Sequence, residues 1–163
     1  MPAPRLRPVA DSDRGFLVDL YASVRAPELE RVPWDEATKR AFVEQQFHAQ
    51  DLHYRSHYPG AALDVIELEG RRAGRLYVHR GEGEIRVMDI ALAPEFRGHG
   101  IGTGLLGELI DEAAASGRTL SIHVEQGNPA RSLYERLGFV PVEERGVYVL
   151  MERPPGDQPK SAS

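Results

Sequence analysis

Between Asp89 and Leu106 the sequence reads DIALAPEFRGHGIGTGLL, with glycines at 98, 100, 102 and 104. Glycines at this density, placed between a strand and a helix, expose consecutive backbone N–H groups beside the partial positive charge of a helix N-terminus. Together these make an anion cradle, and phosphate is its natural guest. Arg97 and His99 lie in the loop, and no acidic residue follows Glu95 until Glu108, so the local field favours an anion. On glycine content alone the stretch also reads as a tight turn.

The elements that must hold this loop follow from periodicity. Arg5 to Val9 is expected as a first strand. The Asp11-Ser12-Asp13 cluster supplies N-cap candidates for a helix to about Arg25, with Phe16, Leu17, Leu20, Tyr21 and Val24 at helical spacing. Pro27 and Pro33 break that pattern, and Asp35 caps a second helix to about Tyr58. From Ala61 the period becomes that of strands: Leu63 to Leu68, Ala73 to Arg80 and Glu84 to Leu92, joined by turns at Glu69-Gly70-Arg71 and Gly81-Glu82-Gly83. The glycine loop leads into a helix from about Gly100 to Ser116, and a strand follows from Leu120 to Glu125, which the crossover makes parallel to its predecessor. Asn128-Pro129 opens a short helix closed by Gly138. Phe139 to Glu143 and Val147 to Met151 form a hairpin around Arg145-Gly146. The expected architecture is one α+β domain over residues 1–153, with a mixed, mostly antiparallel central sheet, followed by a disordered tail over 154–163.

At Arg97-Gly98-His99-Gly100-Ile101-Gly102 the chain matches the pattern Q/R-x-x-G-x-G/A, and here it resembles the GNAT superfamily of N-acetyltransferases. Ile90-Ala91-Leu92 before the loop, and Asn128-Pro129-Ala130 through Tyr134 to Gly138-Phe139 after it, resemble that family's motifs in order and spacing. The similarity is clear from about Glu84 to Met151. It implies a strand splayed by a bulge, whose backbone at Ile90, Ala91 and Leu92 pairs with the pantetheine arm of acetyl-CoA. It further implies that the amides of Arg97, Gly98, His99, Gly100, Ile101, Gly102 and Thr103 hold the pyrophosphate. Asn128 matches the family asparagine on the pantetheine side, and Tyr134 the tyrosine near the thioester sulfur. Without the motif, Asn128 reads as a helix cap and Tyr134 as a packing residue.

The implied chemistry is transfer of an acetyl group from acetyl-CoA to a primary amine by direct attack. Presenting an amine of pKa ~10.4 in its neutral form at pH 7 costs roughly 4.6 kcal/mol, so a positioned base or water chain is useful. The leaving thiol titrates near ~8.5, so a tyrosine hydroxyl at the sulfur suits a general acid, which the resemblance places at Tyr134. A backbone N–H freed at Ala91 or Leu92 would polarise the carbonyl. The base candidates are His123, five residues before Asn128, then Asp89, with Glu84 and Glu125 behind them; His123 equally reads as an ordinary strand histidine. His53 and His57 stand four apart with His48 and Asp51 nearby, but H-E-x-x-H is absent, so no metal is expected. The resemblance places them instead on the side of the acceptor, where Trp34, Tyr54 and Tyr58 would join them, although an aromatic stripe also reads as core.

A second glycine pattern, Gly102-Thr-Gly104-Leu-Leu-Gly107, fits the dinucleotide fingerprint, but its glycines fall inside the helix and the preceding strands form an antiparallel meander. The 163 residues contain no cysteine, no apolar run long enough for a membrane and no secretory apolar segment at the start, which points to a cytoplasmic protein without disulfides. A net charge of −5 without a basic run gives no support for nucleic-acid or membrane partners and mildly favours a cationic acceptor such as a polyamine, an aminoglycoside or an amino-terminal peptide. The edge of the terminal hairpin is a candidate homodimer contact. The alternatives to an enzyme are an acyl-CoA-binding sensor and a protein-interaction domain.

Overall fold

Asp35, followed three residues later by Thr38, fixes the start of the second helix: its carboxylate accepts from the Thr38 N–H at 2.8 Å. Local chemistry of this kind recurs along the chain, and a computed structural model describes residues 2–156. In order it contains β1 (Arg5–Pro8), a 3-10 turn (Asp11–Asp13), α1 (Arg14–Leu29), α2 (Glu36–His57), β2 (Ala62–Leu68), β3 (Arg71–Arg80) and β4 (Glu84–Leu92). A 3-10 turn (Pro94–Phe96), α3 (Ile101–Ser116), β5 (Thr119–Glu125), α4 (Ala130–Arg136), β6 (Val140–Arg145) and β7 (Tyr148–Arg153) follow. The seven strands lie in the order β1-β2-β3-β4-β5-β7-β6, so the expected α+β architecture with a mixed sheet is found. Pro154–Gly156 have neither helix nor strand, and the rest of the tail expected to be disordered lies outside the described residues.

The described chain divides into two compact units. The first runs to Tyr77 and includes Ile90–Ile101. In it β1 pairs antiparallel with β2, from Arg5↔Glu67 to Pro8↔Asp64. Leu17, Leu20 and Tyr21 of α1, Val43 and Phe47 of α2, and Val65 and Ile66 of β2 are buried, with Tyr21 edge-on to Phe47 at 6.2 Å. Pro27 does not end α1. The helix continues to Leu29, because a proline in the last turn removes only one intrahelical donor and the Glu30 N–H still reaches the Ala26 carbonyl at 3.0 Å.

Asp13 does not cap α1 with its side chain, as its cluster suggested. Its carboxylate is 1% exposed and is taken by the Arg7 guanidinium through two 2.8 Å bonds, by the Ala10 N–H at 2.8 Å and by Arg72 at 3.3 Å. The Arg7 hydrogen bond, opposed by burial and aided by Ala10, holds Asp13 far below the ordinary carboxylate range. Native Asp13 therefore ionises before the unfolded carboxyl does, and stability from this site is complete above about pH 4 and drains away as pH falls further. Asp13→Asn is expected to cost about 2–3 kcal/mol in urea unfolding at pH 7, below the value for a fully buried pair because Arg7 is partly exposed. The variant should also show a weaker loss of Tm on acidification.

The second unit comprises Val78–Asp89 and the described residues from Gly102 onward. Its parallel ladder runs from Glu84↔Thr119 to Val87↔Ile122 and so engages the first half of β4. β7 pairs antiparallel with both β5 and β6. The edge of the terminal hairpin is thus β6 and not the chain-final β7. That edge carries Pro141, a register shift between Pro141 and Glu143, and Glu143-Glu144, all of which oppose pairing with a second copy. Leu105, Leu106, Leu109 and Ala113 of α3 repeat at helical spacing and are buried. No described helix is long and apolar enough to cross a membrane.

Candidate functional site

Phe96 is buried, with the Arg71 guanidinium 4.8 Å over its ring, and so anchors the 3-10 turn that leads into the glycine loop. Gly98 and Gly100 then adopt φ of 77° and 83°, the left-handed region that side chains avoid, and Ile101 starts α3. A Cβ at either glycine would meet nothing within 4 Å, so these glycines are needed for backbone conformation and not for space. The loop between β4 and α3 is exposed from Arg97 to Gly100, the arrangement that an amide cradle at a helix N-terminus requires.

The Arg97 side chain does something the sequence did not reveal. Its Nε donates to the Leu92 carbonyl at 2.9 Å and its Nη2 to the Ser23 hydroxyl at 3.1 Å; Ser23 in turn donates to the Leu20 carbonyl at 2.7 Å. Arg97 therefore ties the end of β4 to α1. Gly74 of β3 was also missed, though an isolated glycine inside a strand signals a close backbone approach. A Cβ there would lie 2.1 Å from the Ala91 carbonyl oxygen and 3.0 Å from the Leu92 Cα.

In the second unit Tyr134 on α4 is buried and packs edge-on to Phe139, with ring centroids 6.0 Å apart. Burial, with the Asp89 charge adding to it, pushes its hydroxyl up to about 12. Asp89 is thus near enough for its charge to act on the Tyr134 hydroxyl. Asn128 stands one residue before the Pro129 N-cap, and its Oδ1 accepts from the Ala130 N–H at 2.8 Å, an Asx turn that starts α4 and leaves its amide nitrogen unused by that bond.

His123 belongs to a polar row across β4, β5 and β6. Its Nε2 lies 3.3 Å from Arg145 Nη1. A guanidinium can only donate, so Nε2 accepts and the proton of the neutral ring sits on Nδ1. Burial first, and then the Arg86 and Arg145 charges, lower the His123 pKa, keeping the ring neutral at pH 7. Burial works to raise Glu84, but the Ser121 hydroxyl and Arg86 outweigh it and hold it low, so Glu84 is committed to that row.

In the first unit His53 and His57 stack at 4.1 Å, and the His57 Nδ1 lies 3.1 Å from the His53 carbonyl oxygen. Trp34 meets Phe42 edge-on at 5.3 Å, and Tyr54 meets Tyr77 at 5.8 Å. The described residues bring no group of three or more His, Cys, Asp and Glu together.

The sequence pattern described as the acetyltransferase (GNAT) family matches residues 24–139, which takes in the end of α1, all of α2, the glycine loop and Tyr134. The chain belongs to the acetyltransferase (GNAT) family. Two curated relatives support this membership. A [ribosomal protein bS18]-alanine N-acetyltransferase of Haemophilus influenzae is 41% identical over 66 residues, covering 40% of this chain and 45% of that protein. A Bacillus subtilis protein given the same designation provisionally is 32% identical over 113 residues, covering 67% of this chain and 66% of its own length. The chain thus spans between about half and two-thirds of the curated relatives it matches.

Among solved GNAT structures, a PaiA N-acetyltransferase from Thermoplasma acidophilum in complex with coenzyme A superposes with a TM-score of 0.68 at 15% identity, covering 93% of this chain and 99% of that one. The ribosomal-protein-S18-alanine N-acetyltransferase from Escherichia coli superposes at 0.60 with 20% identity, covering 98% and 99%. These two likenesses establish the GNAT fold.

Proposed function

We propose that this GNAT protein transfers an acetyl group from acetyl-CoA to the amino-terminal amine of a protein, with the alanine amino terminus of ribosomal protein bS18 as the first acceptor to test. The observation that carries the reading is the loop after β4, where Gly98 and Gly100 in left-handed conformations open the backbone ahead of α3. That cradle fits a pyrophosphate, with Arg97 to Thr103 as its amides, while Ile90 to Leu92 pair with the pantetheine arm. The names of the two curated relatives favour the bS18 terminus over the polyamine and aminoglycoside alternatives.

In the proposed reaction the neutral amine attacks the thioester carbonyl, an N–H proton leaves to a base, and the C–S bond breaks with the electron pair on sulfur. Asp89 takes the base role, acting on the amine directly or through a water. The alternative, His123, offers its Nε2 lone pair only after Arg145 moves away. Tyr134 is assigned as the acid for the departing sulfur, and Asn128 is assigned to the pantetheine side.

The decisive assay mixes acetyl-CoA with a peptide bearing the bS18 amino terminus, a polyamine and an aminoglycoside, and follows thiol release with mass analysis of each amine. Release with one acetyl group on the peptide amine is expected. Saturable acetyl-CoA binding with no release would favour a sensor, and no binding would overturn the reading. Asp89→Asn should lower kcat about 10²-fold. The same variant should let the Tyr134 phenol titrate below about 12 in an ultraviolet titration, because one of the two causes that raise it is gone. His123→Ala should leave the shape of the pH–rate profile intact; a shifted acid limb there would move the base to His123.

A further inference from the structure

We propose that Gly74, on the strand beside the donor strand, positions the carbonyl-polarising amide of the active site, and that the amide is the Leu92 N–H. The inference rests on the acyl-CoA reading above and assigns it a positioning residue outside the glycine loop. β3 and β4 are neighbours in the sheet, joined by a three-residue turn. At Gly74 the approach is unusually close: the Ala91 carbonyl oxygen stands 2.1 Å from where a Cβ would be, with the Leu92 Cα at 3.0 Å. The oxygen occupies the space of a missing side chain. No positive φ is involved at Gly74, so the requirement here is for space alone.

The consequence follows from the planarity of one peptide. The bond between Ala91 and Leu92 is trans, so a carbonyl turned toward β3 sends the Leu92 N–H away from β3. Two further bonds fix the same short stretch: the Ala93 N–H donates to the Ala73 carbonyl at 2.7 Å, and Arg97 Nε holds the Leu92 carbonyl at 2.9 Å. The 91–92 peptide therefore abuts a peptide, 92–93, that is pinned at both its N–H and its carbonyl, and its own donor faces outward. Any side chain at 74 must push the Ala91 carbonyl back and rotate that donor. A misplacement on the order of 1 Å in such a group costs up to about 10²-fold in rate.

The test uses Gly74→Ala beside Gly107→Ala, a helical position where an added Cβ meets nothing within 4 Å. Two probes separate the ends of the donor: coenzyme A, and adenosine 3′,5′-diphosphate, which carries the nucleotide end without the pantetheine arm. Gly74→Ala is expected to weaken CoA binding about tenfold and lower kcat by about 30-fold while adenosine diphosphate affinity stays unchanged. Gly107→Ala should match the wild type on both probes. Equal losses on both probes for Gly74→Ala, or no loss on either, would overturn the positioning role. If Gly74→Ala does not fold, Arg97→Lys tests the adjoining 92–93 peptide, whose carbonyl Arg97 holds. Lysine keeps the charge but cannot span the Leu92 carbonyl and Ser23, so CoA affinity should drop severalfold with the adenosine diphosphate affinity retained. Full CoA affinity in that variant would sink the proposal. Wild-type protein that binds neither probe would instead remove the acyl-CoA reading, and this inference with it.

Discussion

Tyr134→Phe is expected to lower kcat about 10²- to 10³-fold while leaving the CoA dissociation constant within about threefold, measured by thiol release and by titration calorimetry. The hydroxyl is buried and its pKa is pushed up to about 12, so it stays protonated throughout any practical assay. That value also limits what the residue does. Full proton transfer from a phenol at about 12 to a thiolate of pKa ~8.5 is uphill by several kcal/mol, so a free proton handover is disfavoured. The lower-energy role is a hydrogen bond donated to the sulfur as its charge develops, with the released amine proton available to neutralise the thiolate afterwards. Two observations follow from the sign of the shift. The wild-type rate should show no fall between about pH 8 and 10 assignable to Tyr134, since the group that would ionise does so higher. Melting should move little in the Phe variant, because the ring still packs on Phe139 and only a hydroxyl is lost. A Phe variant with an unchanged kcat would remove Tyr134 from the chemistry and return it to the core packing that its spacing alone allows.

The loop and its flanking elements were legible because their signals are local. Clustered glycines before a helix, Asp35 as the cap of α2 and glycine-punctuated strands each depend on a few neighbouring residues, and the structure has these elements where expected. Interactions that span the fold were not legible. The sequence places Asp11-Ser12-Asp13 where an N-cap belongs, yet Asp13 turns to Arg7 and Arg72, the latter 59 residues away, because two guanidinium groups outbid one backbone donor. The same holds for Arg97: its position in the motif suggested an anion, but its side chain bonds Leu92 and Ser23, the latter 74 positions distant. His123 is the intermediate case. Its strand was evident, whereas the Arg145 contact that fixes its tautomer depends on β7 inserting between β5 and β6, an order that hairpin spacing does not specify. Asn128 shows the reverse, a local reading that the structure has: the side chain accepts from the Ala130 N–H at the start of α4.

The glycines of the loop and of α3 should respond to substitution with opposite signs, and that contrast separates cradle from scaffold. At Gly107, in mid-helix with open space around the added methyl, alanine removes backbone freedom from the unfolded chain and is expected to stabilise the protein by about 0.5–1 kcal/mol. At Gly100 the surroundings are equally open, but φ is 83°. A β-branched residue there faces a conformational cost of about 1–2 kcal/mol that no repacking can relieve, because nothing nearby causes it. The chain relieves it by turning the residue back toward the right-handed region, which rotates the amides on either side away from the cradle. Gly100→Val is therefore expected to weaken CoA binding by about 2–3 kcal/mol, roughly 30- to 150-fold by calorimetry, while unfolding free energy changes by less than the binding does. Inorganic pyrophosphate should lose affinity in parallel with CoA, since the amides and not the pantetheine contacts are what moved. Retained pyrophosphate binding in Gly100→Val would mean that the anion is held by side chains such as Arg97 and His99, and the role of the loop would shift from backbone cradle to charged rim.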